Sequence, residues 1–109
     1  MFFFDLTPVS SVKVWAGLIA QGGTNAPTAT VIRNDLGGTI VWTRDNVGQY
    51  TGTLVGAFPS GKVIFSGKPG SVGGGTRAFR GSDDTVRLIT LSGTDSNMSQ
   101  ESLKIEVYP

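Results

Sequence analysis

The chain has 109 residues, a formal net charge of +1, 16 glycines, and neither cysteine nor histidine. That length suits one domain around one core, so residues 1–109 are read as a single unit. The charge balance excludes a strongly basic nucleic-acid binder and an acidic tail, and the missing residue types exclude disulfides, thiol nucleophiles, imidazole bases and ordinary zinc sites.

The chain opens on Met1-Phe2-Phe3-Phe4-Asp5, which is apolar but has no basic segment before it and no long apolar run. A secretory leader needs both, so none is expected, and synthesis is placed in a cytoplasm. The longest later apolar run, residues 14–20, falls far short of the roughly 20 residues that span a bilayer, so no membrane partner is expected. Residues 12–21 read as the first strand. Val12, Val14, Ala16, Leu18 and Ala20 form one apolar face, while Lys13, Trp15, Gly17, Ile19 and Gln21 form the other. A strand that is apolar on both sides is central or needs a second cover.

Further strands are predicted over 28–33, 39–44, 49–55 and 62–66, separated by turns rich in Gly, Asn, Asp and Pro. The stretch 67–75 is a nine-residue glycine loop. Strands over 76–80 and 85–91 follow, joined by Gly81-Ser82-Asp83-Asp84. The last strand alternates most cleanly, with Leu103, Ile105 and Val107 on one face and Ser102, Lys104, Glu106 and Tyr108 on the other. Eight short strands without a helical stripe define an all-β chain. The expected architecture is an antiparallel β-sandwich, jelly-roll-like or immunoglobulin-like, or a small barrel. The expected core is Val12, Val14, Leu18, Val31, Ile40, Trp42, Tyr50, Leu54, Val63, Phe65, Val86, Leu88, Leu103, Ile105 and Val107.

Motifs that would carry chemistry are incomplete. Residues 56–63 satisfy G-x-x-x-x-G-K, but Val63 stands where a phosphate loop needs Ser or Thr, and a strand pattern follows Lys62 instead of a helix. Asp95, Asn97, Ser99 and Glu106 have calcium-loop offsets, yet Gln100 occupies the position of the essential glycine. Asp83-Asp84 reads as a turn. No sequence feature singles out a nucleophile, a catalytic residue, a metal ligand or a cofactor site, so the chain is read as no enzyme. Arg33, Arg44, Arg77, Arg80 and Arg87, with Trp15, Trp42 and Tyr50, have the residue types of a single-strand nucleic-acid groove. Near-balance of acids and bases argues against nucleic acid as partner. Aromatics beside polar residues keep a carbohydrate or host-surface site open as an alternative.

The segments Gly22-Gly23-Thr24-Asn25-Ala26-Pro27-Thr28-Ala29-Thr30-Val31, Leu36-Gly37-Gly38-Thr39-Ile40-Val41-Trp42-Thr43-Arg44, Gly48-Gln49-Tyr50-Thr51-Gly52-Thr53-Leu54, Gly56-Ala57-Phe58-Pro59 and the ending Ser102-Leu103-Lys104-Ile105-Glu106-Val107-Tyr108-Pro109 carry a resemblance. Together they resemble small bacteriophage-encoded β-proteins, over most of residues 11–66 and the last eight. The resemblance implies a context and no residue roles: a structural component of a virion, such as a capsid decoration, head-fibre or tail protein. Other virion proteins and copies of the chain itself are the expected partners. Phe2, Phe3, Phe4, Trp15, Ile19 and Tyr108 are the candidate interface residues, because the terminal phenylalanines and the second apolar face of the first strand need a cover.

Overall fold

The computed structural model describes residues 11–67, 76–91, 93–96 and 98–109. Eight strands follow in chain order: β1 (Lys13–Ala20), β2 (Thr28–Asn34), β3 (Val41–Asn46), β4 (Gln49–Thr53), β5 (Val63–Gly67), β6 (Thr76–Ser82), β7 (Thr85–Thr90) and β8 (Glu101–Val107). They form two antiparallel sheets, ordered β2-β1-β8-β5 and β3-β4-β7-β6. The sheets pack face to face as a β-sandwich with no closed barrel. Sequence-adjacent strands pair in the β1–β2, β3–β4 and β6–β7 hairpins, while β8 inserts between β1 and β5 and β7 between β4 and β6. Each sheet therefore leaves an edge on the same flank, β2 in one and β3 in the other.

The alternation of β8 decides which face of β1 turns inward. Leu103, Ile105 and Val107 are buried, and their partners across the ladder are Gly17, Trp15 and Lys13. Directly opposed residues share a sheet face, so Trp15 and Gly17 must point to the core with them. Phe65 of β5 lies on the other side of Ile105, completing a row across the sheet. This reverses the expected parity of β1. Trp15 is 1% exposed and Ile19 is fully buried, so neither belongs to a surface interface. Of the expected inward face, Val14 is buried while Leu18 and Val12 are only half-buried. The Val14 backbone is pinned by Asp35, whose carboxylate accepts from the Val14 amide at 3.0 Å and whose amide donates to the Val14 carbonyl at 2.9 Å.

Trp15, Ile19, Ile40, Tyr50, Phe58, Val86, Leu88, Met98, Leu103, Ile105 and Val107 build the shared core. Trp42, Leu54, Val63 and Phe65 pack against it from partly buried positions. Val31, expected inside, is 47% exposed. It does share the inward face with its partner Gly17, but β2 is an edge strand with no strand beyond it among the described residues. β3 also begins later than expected. Asn34 donates to the Gly38 carbonyl at 2.7 Å and accepts from the Leu36 amide at 2.9 Å, so its side chain shapes the chain as far as Gly38 before the next ladder starts. Phe2, Phe3 and Phe4 lie outside the described residues.

Candidate functional site

Between the β2 and β3 edges lies a cleft of about 290 Å³ whose floor includes Trp15, Ile40 and Trp42. The two indoles meet there across the sheets, with ring centroids 6.1 Å apart and planes tilted by 59°. Each ring occupies space that only a glycine leaves free. A methyl group on Gly17 would sit 2.7 Å from the Trp15 ring, and one on Gly52, the ladder partner of Trp42, 2.8 Å from the Trp42 ring. The Trp42 indole nitrogen is buried without a hydrogen-bond partner among the described residues, whereas such a group usually finds one.

The rims of this flank are apolar and exposed. Ile32 is 68% exposed and Val41 59%, alongside the half-open Val31. Ile32 is the extra residue of a bulge: Arg33 pairs with Ala16 and Val31 with Gly17, leaving Ile32 without an opposite residue. Arg33 is occupied by Asp35 at 2.8 Å, and that contact, with the Val14 amide, holds the Asp35 carboxyl below the usual carboxylate range. The β2–β3 crossover is thus fixed at Asp35 and Asn34, and the flank is a shaped surface.

A second polar cluster lies at the β3–β4 hairpin end. Asp95 accepts from Arg44 Nε at 3.0 Å and Arg44 Nη2 at 3.1 Å, from the Gly48 amide at 3.1 Å, and from the Tyr50 hydroxyl at 2.8 Å. Chiefly the Arg44 guanidinium, then the Gly48 amide, hold its pKa at about 2. Burial raises that of Tyr50. The Tyr50 oxygen accepts from the Ser96 amide at 3.0 Å, and the Ser96 hydroxyl donates to Gln21 Oε1 at 2.8 Å. These bonds tie the β7–β8 connection to the hairpin and to the end of β1. Asp95 has its oxygens engaged by protein donors, which suits a structural pin and opposes a calcium ligand; Glu106 lies on β8.

The remaining sequence motifs also find structural places. Residues 56–62 form turns and β5 starts at Val63, so no helix follows Lys62. Asp84 Oδ1 accepts from the Gly56 amide at 2.7 Å, and the Asp83 carbonyl from the Phe58 amide at 2.8 Å, clipping this loop to the β6–β7 turn. The Asp83 carboxylate pairs with Arg80. The basic–aromatic groove is not assembled. Trp15 and Tyr50 are buried, Arg33, Arg44, Arg80 and Arg87 each face an aspartate, and Arg77 lies 5.8 Å from the Phe79 ring. Tyr108 is 38% exposed. The open flank was missed by sequence reasoning because a strand's own alternation does not say whether it lies at an edge. The exposed pair Val31-Ile32 was its one available sign.

Comparison with protein-family models, curated proteins and solved structures finds no match for this chain.

Proposed function

We propose that the chain is a non-enzymatic assembly subunit of a bacteriophage particle, in a capsid-decoration, head-fibre or tail role. In this reading it joins copies of itself and other virion proteins along the β2–β3 flank. The observation that carries the reading is β2 itself, an edge strand whose residues other than Ala29 are all exposed. Natural sheets guard such edges with lysine, proline, bulges or a covering segment, because unpaired backbone groups template further strands. Here the bulge at Ile32 guards one end and turns an isoleucine outward, while residues 28–31 carry neither charge nor proline. Val31, Ile32 and Val41 add apolar area on the same flank, as an interface core requires. The resemblance to small phage proteins supports the virion setting.

The test is light scattering on the purified chain together with mass spectrometry of purified particles. Assembly predicts a mass that is a multiple of 11.4 kDa, or stoichiometric presence in the particle. A monomer at micromolar concentration that is also missing from particles would overturn the reading.

A further inference from the structure

Eight of the chain's nine cationic side chains lie in the described residues, and their partners divide them sharply. Arg33, Arg44, Arg80, Arg87 and Lys104 each have a carboxylate, and Arg77 has the Phe79 ring. Lys13 and Lys62 have neither among the described residues, and both line the same cleft, of about 480 Å³, at the end of the sandwich. Among the described residues, no aspartate or glutamate lines it.

The two lysines reach the cleft from the strands that flank the end of β8. Val107 at the end of β8 pairs with Lys13 on one side and with Val63, the residue after Lys62, on the other. The Tyr108 amide donates to the Lys62 carbonyl at 2.8 Å, which keeps that side closed. Two strand spacings set β1 and β5 about 10 Å apart, and both lysines line the one cleft between these strand ends. Between them the walls are apolar, including Leu36, Ala57 and Val55, the last 81% exposed. Those walls are fixed. The Ala57 amide bonds the Leu54 carbonyl at 3.1 Å, the Leu54 amide bonds the Asp84 carbonyl at 2.9 Å, and the Lys62 amide bonds the Pro59 carbonyl at 3.3 Å.

From this juxtaposition we propose that the Lys13–Lys62 cleft docks a short acidic–apolar peptide segment of a partner protein. A carboxylate of the segment sits between the ammonium groups and its apolar side chains lie on Val55 and Leu36. Two unpaired like charges facing an apolar hollow repel each other, and an anion carrying hydrocarbon relieves both the repulsion and the exposure. The cleft lies within the usual range for small binding sites. This proposal concerns a different surface from the β2–β3 flank and does not depend on it.

The experiment uses the full chain and a fluorescein-labelled pentapeptide alternating leucine and glutamate, followed by anisotropy. Saturable binding is expected, with affinity falling as salt rises. The double variant Lys13→Ala/Lys62→Ala should weaken it about tenfold, from two exposed ion pairs, with thermal unfolding unchanged. Lys104→Ala should leave it unaltered. Equal binding of the same pentapeptide with glutamine in place of each glutamate, or wild-type affinity in the double variant, would overturn the proposal. So would displacement by acetate at concentrations matching the peptide, which marks a bare anion site, or tighter binding of a peptide of residues 1–8, which makes the chain its own occupant. Light scattering on the same variants separates this outcome from the assembly reading, because the lysine substitutions should not change the mass.

Discussion

The hairpin end and the open flank use their polar groups in opposite ways. At the hairpin end, Asp95 gathers the Arg44 guanidinium, the Gly48 amide and the Tyr50 hydroxyl, and the Tyr50 oxygen in turn receives the Ser96 amide. A partner there would have to break an existing bond for each one it made. Along β2 the backbone of an edge strand faces outward, and Ile32 and Val41 stand exposed. A partner there gains bonds and apolar burial without displacing any from within the chain. The contrast teaches where to look for association: on the side whose bonding capacity the fold leaves unspent.

Truncating what lies beneath the flank should have the largest effect on stability. Trp15→Ala removes a buried ring from between the sheets and should cost about 3–5 kcal/mol in denaturant unfolding. Retention of wild-type stability would show that the ring faces a partner and not the core. Next comes the pinned end. Gly48 has φ +68, and a methyl group there would meet the Thr90 hydroxyl at 2.2 Å and the Thr94 carbonyl oxygen at 2.7 Å. Gly48→Ala should therefore cost more than the roughly 1 kcal/mol of left-handed strain alone. A loss no larger than that, measured by urea midpoint, would mean that the hairpin end is loosely packed.

How far the sequence reveals this contrast depends on the residue. The final strand was legible because Leu103, Ile105 and Val107 alternate with polar neighbours, and a single-faced pattern has one solution. β1 was not, because both its faces are apolar; its parity is set by pairing with β8, 82 to 94 residues along the chain. The same applies to the Asp95 cluster, whose partners Tyr50 and Arg44 lie 45 and 51 positions away, a spacing no local motif encodes. Phe58 and Met98 join the core from outside the strands, where periodicity gives no guidance. Val31, expected in the core, does face inward and still lies half-open, since edge position belongs to the sheet and not to the strand.

A smaller and pH-dependent effect sharpens the pinned side. Asp95 titrates near 2 in the folded protein, below the roughly 3.9 of an unfolded aspartate. Its folded pKa is lowered, so its stabilisation is present above about pH 4 and is lost as pH falls toward 2. Asp95→Asn should lower the urea midpoint at neutral pH and flatten its decline between those limits. An unchanged acid limb would assign that decline to other carboxylates.

The smallest effect on folding should come from Ile32→Lys on the open flank. Ile32 stands outside the ladder register and is 68% exposed, so the substitution removes little buried area and leaves the β1–β2 pairing intact. Surface changes of this kind usually stay within about 0.5 kcal/mol. A lysine there nevertheless places a charge beside the free edge, the device by which edge strands are kept from pairing. Light scattering on Ile32→Lys should thus report a single 11.4 kDa species with wild-type unfolding, while the unsubstituted chain remains a multiple of that mass. An assembly that survives this substitution with its mass unchanged would remove β2 from the interface, because a strand cannot add to that edge without desolvating the new ammonium group.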